Sequence, residues 1–434
     1  MKKISVVAVI FILMGVLLSS AANAQFGLMN LDRKAQEGLF NGGIGLTTIE
    51  GESYFTINIR PEIAFGKWGL GLNVNLLYST KTGHIRSKDW NEKYDYLRMI
   101  RYIRYGWKGD KFYTRVGALD AARLGHGFIM NHYTNQASYD GRKIGLALDV
   151  DMGMFGFESM TSNLARLEII GGRGYFRPLY HSGIPILKNL AFGGTYVTDT
   201  NPDDNRNTKD AVVEYGADVE LPLINWPILW AGVYADYAKI KDYGSGKSVG
   251  IGFRVKNLLG LLSLDARLER HFLGKRFVAN YFDAFYQIYR YLPDGAGSGI
   301  PKVASLDAIT TETKGIYGAL YGRILGTIEL TGSFQHLDAR PKSGLLHLGA
   351  DATKIIPVLA LHAAYDKMGI ENVKDVFTLD NRSIARVGVG YKVKPYLIVY
   401  MDYIWSFVLD EKDNLYKPQE RIEPRITFNY PFSL

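Results

Sequence analysis

The chain has 434 residues, a formal net charge of +8 at pH 7 and no cysteine. The basic excess is modest and contains no basic run, so we expect no nucleic-acid partner. Without cysteine there are no disulfide bonds, and the high content of glycine, tyrosine and phenylalanine (47, 29 and 21 residues) suggests β-structure with two differently solvated faces.

The first residues, MKKISVVAVIFILMGVLLSSAANAQ, combine two lysines, an apolar run and the small-residue site Ala-Asn-Ala. This pattern predicts a secretory signal peptide over residues 1–24, because the apolar run is shorter than a membrane-spanning helix. A retained membrane anchor is the alternative. We expect a mature chain that starts at Gln25, a periplasmic N-terminal segment over residues 25–39, and a barrel over residues 40–434.

From residue 53 onwards, apolar and polar side chains alternate in many short segments, which is the period of a β-strand. The polar face often carries charges. The clearest segments are YFTINIRPEIAF, GLGLNVNLLY, KIGLALDVD, VVEYGADVEL, SVGIGFRVK and LLSLDARLERH. Such alternation fits either a soluble sandwich or a membrane barrel.

The lengths of the connections favour the barrel. Short turns are expected near residues 66–67, 108–109, 152–153, 223–226, 257–260 and 325–326. Long polar connections are expected at 80–93, 120–140, 200–210, 273–314, 368–382 and 410–420. Short turns on one side and long loops on the other are typical of transmembrane antiparallel β-barrels. The fold class is therefore all-β, with about 16–20 strands by alternation and a best count of about 20.

The last residues, RITFNYPFSL, alternate most regularly. In a closed barrel the last strand pairs with the first, so this terminus lies within the sheet. The segment also resembles the C-terminal recognition signal of bacterial outer-membrane proteins, with Phe428, Tyr430 and Phe432 as its aromatic residues, although Ser433 and Leu434 follow. The resemblance implies a porin-like barrel in the cell outer membrane of a Gram-negative bacterium. The partners it implies are outer-membrane lipid, the barrel-assembly machinery and small polar solutes.

Aromatic residues cluster near the predicted strand ends. As a barrel feature they would form girdles at the two membrane interfaces, although strand propensity is an alternative explanation. The residues concerned are Trp68, Tyr78, Trp107, Tyr175, Phe176, Trp226, Trp230, Tyr396 and Trp405.

Charges on the polar faces are the candidate pore lining. Basic residues gather in the early strands and acidic residues in strands ten and eleven, which resembles the opposed walls of a general-porin constriction. The alternative is that these charges only solvate the interior. The candidates are Arg60, Arg98, Arg104, Lys111, Arg115, Lys143, Glu214, Asp218, Glu220, Asp236, Arg254, Asp265, Arg267 and Glu269. Arg101 falls on the predicted lipid face, so a bulge or an interfacial position must accommodate it.

The sequence contains neither G-x-S-x-G nor H-E-x-x-H, and we expect no catalytic residue, metal or cofactor. The loop with His126 and His132 leaves a barrel hydrolase as a weaker alternative. The expected function is passive or weakly selective diffusion of small polar solutes. The main alternative is a structural or surface-interaction barrel plugged by residues 120–140 and 273–314, or by residues 26–39.

Overall fold

The computed structural model describes residues 38–49, 52–136, 142–202, 210–284, 286–292, 300–352, 355–380, 382–410 and 415–432. The predicted signal peptide and residues 25–37 of the predicted periplasmic segment lie outside the described residues, so both stay predictions.

Twenty antiparallel strands form one closed sheet. They are β1 (Gly38–Ile49), β2 (Glu52–Phe65), β3 (Trp68–Leu72 and Val74–Ser79), β4 (Ile100–Tyr105), β5 (Phe112–Gly117), β6 (Gly145–Asp151), β7 (Phe155–Thr161), β8 (Ile169–Phe176), β9 (Ala191–Asp199), β10 (Val212–Asn225), β11 (Leu229–Ile240), β12 (Ser245–Leu258), β13 (Leu262–Leu273), β14 (Thr313–Ile324), β15 (Ile328–Leu337), β16 (Gly344–Asp351), β17 (Leu359–Ile370), β18 (Ser383–Lys394), β19 (Leu397–Asp410) and β20 (Leu415–Phe432).

The helices are short and lie in the connections. They are Ser87–Asp89, Lys93–Leu97, Leu187–Asn189, Tyr286–Tyr289, Lys302–Ala308 and Val373–Val376. A two-stranded ribbon pairs Tyr291–Leu292 with Ile300–Pro301. No helix among the described residues is long and apolar enough to cross a membrane.

The barrel closes because β1 pairs with β2 on one side and with β20 on the other. Gly38 lies opposite Phe432, and Gly45 lies opposite Arg425. The predicted strand count of 20 and the paired terminal strand are therefore confirmed. With an even strand count, both ends of the described barrel lie at the same end of the sheet.

The two faces of the sheet follow the predicted alternation. Apolar side chains point outward and remain exposed, as Phe55, Tyr215, Ile251 and Leu268 do. Exposed apolar residues around a closed sheet are the surface that lipid covers. The polar residues of the same strands point into the lumen.

Most long connections lie at one end of the barrel and most short turns at the other, although the connections β1–β2, β11–β12 and β19–β20 are short ones at the long-loop end. Residues 177–190, between β8 and β9, form a long connection at the short-turn end. The connection predicted at residues 80–93 is also longer than expected. Glu92 and Asp95 form a capping box that starts the helix Lys93–Leu97, and the strand begins only at Ile100.

A bulge resolves the position of Arg101. The pairing of β3 with β4 shifts after Gly71, which faces Tyr102, so that Leu72 faces Ile100. The extra residue turns Arg101 inward, where it donates to Glu62 at 3.1 Å and to Asp120 at 3.4 Å.

Candidate functional site

Two long connections fold into the lumen. We call residues 118–136 the first inserted loop and the described parts of residues 274–312 the second. Their backbones meet in a parallel bridge between Met130 and Phe282, and Asn280 N–H donates to the carbonyl of Phe128 at 2.7 Å. The loops share an apolar core formed by Leu124, Phe128, Ile129, Met130, Tyr133, Phe277, Tyr281, Phe282, Tyr286 and Leu306.

The barrel wall is apolar where these loops pack. Met160, Ile169, Val197, Val212, Ala238, Ile240 and Leu273 complete the same core from β7 to β13. A hydrophobic core thus lies inside the barrel, which the alternating strand pattern did not predict. The cause is that inward positions near the long-loop end are covered by the inserted loops, so they bury apolar groups.

Glu214 lies within this core rather than beside water. Its side chain is fully buried, and neither carboxylate oxygen has a hydrogen-bond partner among the described residues. Its cross-strand neighbours are Val197 and Ile240. The predicted role of Glu214 in a water-filled acidic wall does not fit this position.

The charges deeper in the lumen form local pairs. Arg173 donates two hydrogen bonds to Asp218, at 2.8 and 2.6 Å, and a third to Glu158 at 3.2 Å. Other pairs are Lys108 with Asp149 at 2.8 Å, Arg115 with Asp120 at 2.7 Å, Arg254 with Asp265 at 2.7 Å and Arg267 with Glu269 at 3.9 Å. The expected separation into a basic and an acidic wall is therefore replaced by neutralised pairs along this side.

His126 binds the remaining two acidic candidates. Its ring nitrogens lie 2.9 Å from Asp236 and 2.9 Å from Glu220, and its ring stacks on Tyr234 with centroids 4.1 Å apart. The first inserted loop thereby reaches across to β10 and β11. The sequence marked His126 only as a loop histidine, because no spacing links it to strands about one hundred residues away.

A second ionic cluster anchors the outer part of the loops. Arg290 donates to Asp199 at 2.6 and 2.5 Å and to Glu168 at 3.3 Å, and Tyr286 donates to Asp199 at 2.9 Å. Lys143 pairs with Glu168 and donates to Gln287 at 3.0 Å. Lys143 lies before β6 rather than within a strand, so it joins two loops to the barrel rim.

Another part of the wall carries arginines with few acidic partners. We call Arg60, Arg386 and Arg425 the arginine sector. Arg60 donates to Asn73 at 2.9 Å and to Asn58 at 3.0 Å. Arg386 and Arg425 share Asp402, at 2.5 and 3.1 Å. Only Arg60 of this set was among the predicted residues, although RVGVGYK and RITFNYPF alternate in the same way.

Three predicted basic residues lie elsewhere. Arg98 follows the helix Lys93–Leu97 in an outer loop and pairs with Asp95, so its predicted strand position is wrong. Lys111 is exposed at a bend before β5. Arg104 does face inward, but it donates to the Gly106 carbonyl at 2.6 Å and stacks on Trp107 at 3.5 Å.

The aromatic residues divide between the two faces. Trp68, Phe155 and Trp226 are exposed at the short-turn end, as a girdle requires. Trp107, Tyr175 and Trp230 instead lie beside inward arginines: Arg104, Arg173 and Arg254. Sequence position could not separate these sets, because both lie near strand ends.

Among the described residues, no group of three or more His, Asp or Glu side chains could hold a metal ion. His126, His271 and His362 each lie against carboxylates.

A closed antiparallel sheet with an apolar outside and a charged inside defines a transmembrane β-barrel of the outer-membrane type. The chain is therefore a β-barrel protein of the outer membrane.

No known family model matches the sequence, and no curated protein matches it. Three solved structures illustrate the likeness at the level of the barrel. CdiB from Acinetobacter baumannii is 9% identical, with 91% of this chain and 60% of CdiB covered and a TM-score of 0.29. The outer membrane protein opdK from Pseudomonas aeruginosa is 11% identical, with 92% and 98% covered and a TM-score of 0.33. Wzi from Escherichia coli, an outer membrane protein involved in group 1 capsule assembly and described as a carbohydrate-binding β-barrel, is 11% identical, with 92% and 85% covered and a TM-score of 0.36. The chain thus spans less than two thirds of CdiB. These TM-scores are too low to carry an argument, and the class assignment rests on the barrel itself.

Proposed function

We propose that the protein is an outer-membrane channel for passive, weakly selective diffusion of small polar solutes. The observation that carries the proposal is the charged, polar lining of a 20-stranded barrel, a size that leaves room inside beyond its own side chains. The protein's part in transport is to supply a polar path, and no bond is made or broken.

The positions of the inserted loops support a solute path along one part of the barrel wall. The inserted loops pack on the wall from β4 to β15 and cover the paired charges there. The arginine sector lies on β2, β18 and β20, which flank β1 on both sides of the barrel closure. We therefore place the solute path along the arginine sector and assign Asp218, Glu220, Asp236, Asp265, Arg267 and Glu269 to holding the loops.

The plugged barrel remains the second candidate, because the two inserted loops share a real apolar core. The two functions differ in one measurement. Purified, folded protein should give discrete conductance steps in a planar lipid bilayer and should let liposomes swell in small sugars. Folded protein without steps and without swelling would favour the structural barrel.

A further inference from the structure

The tip of the first inserted loop, residues 123–128, makes a strong ionic contact with the barrel wall. Diffusion of solutes does not require this contact. His126 places one ring nitrogen on Asp236 and the other on Glu220. A neutral imidazole has one donor and one acceptor nitrogen, so only a doubly protonated ring can donate to both carboxylates. The geometry therefore requires a charged His126.

The backbone next to His126 is held by the same region. Gly125 N–H donates to Glu158 at 3.2 Å, and Arg267 donates to the His126 carbonyl and to Asn131 at 3.3 Å. Gly125 and Gly127 have positive φ, at 54° and 93°, so the tip turns sharply on both sides of the histidine. The ring is thus the foremost point of a tight turn.

The neighbouring cations are engaged elsewhere. Arg173 binds Asp218 and Glu158, while Arg267 binds the loop backbone. Asp236 keeps one further donor, the Ser248 hydroxyl at 3.0 Å. The charged and titratable groups around the ring and its two carboxylates are Glu158, Arg173, Arg177, Asp218, Glu220, Tyr234, Asp236, Arg267 and Glu269. Loss of the imidazolium charge leaves two carboxylates facing the tip without their cation.

We propose that His126 is an ionic latch: its charged ring holds the loop tip against β10 and β11, and loss of that charge lets the tip move away from this wall, towards the solute path along the arginine sector, and narrows that path. Movement of the tip is independent of the proposed function, whereas its effect on conductance rests on that function.

The proposal predicts a definite pH window. Burial alone lowers the pKa of His126, but hydrogen bonds to Asp236 and Glu220 outweigh burial and raise the pKa to about 9, from an ordinary value of 6.5. The latch is fully present below pH 6.5 and is lost as the pH rises through about 9. His132 cannot produce this transition, because burial, followed by the charge of Arg267, lowers its pKa to about 3.

The first test follows the tip without using conductance. The chain has no cysteine, so Leu124→Cys creates a single thiol at a buried position beside His126. At pH 7.5, a water-soluble maleimide should label this thiol at least about tenfold faster when His126→Gln is added, because local opening sets the rate. His126→Lys should keep the thiol protected, and His84→Gln, at an exposed loop histidine, should leave labelling unchanged.

The second test uses bilayer conductance of the protein without the reporter. Conductance should fall as the pH passes about 9, and the His126→Gln variant should conduct at its lower level at pH 7.5 already. Equal thiol protection in the parent and in the His126→Gln variant would overturn the latch even if the protein conducts. Faster labelling of the His126→Gln variant, with no conductance in any variant, would support the latch and contradict the proposed channel function. If Leu124→Cys is itself reactive, Ile129→Cys serves as the reporter on the same core.

Discussion

Charged side chains on the β7–β13 side of the lumen are coupled to particular partners, and Arg173 shows this most clearly. Its side chain and that of Asp218 are 6% and 5% exposed, and two parallel hydrogen bonds join them. Bidentate pairs of this kind fix geometry as well as charge. Arg173 therefore links β7, β8 and β10 around one guanidinium.

Replacing Asp218 by Asn should lower the free energy of unfolding by about 3 kcal/mol, because a buried arginine loses its bidentate partner. Denaturant unfolding of the barrel refolded in detergent would measure the change. Asp338→Asn is the matched control, since Asp338 pairs with Arg270 at 2.7 Å but both are well exposed. That variant should change stability by less than about 1 kcal/mol. An equal effect of both variants would contradict the role of burial.

Individual elements depart from the alternating pattern where a loop covers the wall. Asp366 pairs with His347 inside the barrel, so Lys367 points outward, yet its side chain is fully buried. The connection between β17 and β18 folds over it: Lys367 donates to the Thr378 carbonyl at 2.8 Å and pairs with Asp380 at 2.8 Å. This loop shields a lysine that would otherwise face lipid.

Asp380→Asn should destabilise the barrel by about 2 kcal/mol, less than for a fully isolated charge because Thr378 and Ser383 still accept from Lys367. Thermal unfolding in lipid vesicles, followed by tryptophan fluorescence, would show it. Glu371→Gln, an exposed change in the same loop, should have no measurable effect. Unchanged melting of the Asp380 variant would mean that the loop does not seal Lys367.

The terminal strand is the element with the clearest signal in the sequence. Its backbone pairs with β1 up to Phe432, and Phe428 is exposed on the outer face. The side chains of Tyr430 and Phe432 lie outside the described residues, so their role in assembly stays a prediction.

Tyr430→Asp together with Phe432→Asp should sharply reduce the yield of folded barrel, because both changes place charge on a strand that must enter the membrane. Heat-modifiable migration on gels would report the yield. Asn429→Asp, a polar position next to Tyr430 in the alternating sequence, is the control. A yield of folded barrel equal to that of the unmodified protein would contradict a role of Tyr430 and Phe432 in assembly.

Across the whole molecule, the sequence predicts the features that recur along the chain, and it misses contacts between segments that are far apart in the chain. Strand number, alternation and the loop asymmetry follow from local periods, and β2 or β10 could be drawn from their residues alone. The apolar core of the inserted loops joins segments about 150 residues apart, and the contacts of His126 join segments about 100 residues apart, so no local pattern reports them. Arg101 is an intermediate case. A charged residue on the predicted lipid face indicates a bulge, but the sequence does not show at which residue the bulge occurs.

The position of Arg60 leads to a prediction about the whole channel. Arg101, Arg142, Arg386 and Arg425 are close enough to repel its charge, so this part of the lumen has an excess of positive charge. Charged walls set the ion preference of a pore. Arg60→Glu should therefore shift the reversal potential in a planar bilayer towards cations, and the variant should fold because arginines surround the new carboxylate.

Lys111→Glu makes the same charge change at an exposed bend outside the arginine sector, and we expect a much smaller shift. The effect of Arg60→Glu should also weaken in concentrated salt, because the Debye length falls to about 3 Å at 1 M. Conducting protein in which Arg60→Glu and Lys111→Glu shift the potential equally would place the solute path outside the arginine sector. The charges that hold the inserted loops would then be the candidate pore lining, beginning with Asp265 and Arg267.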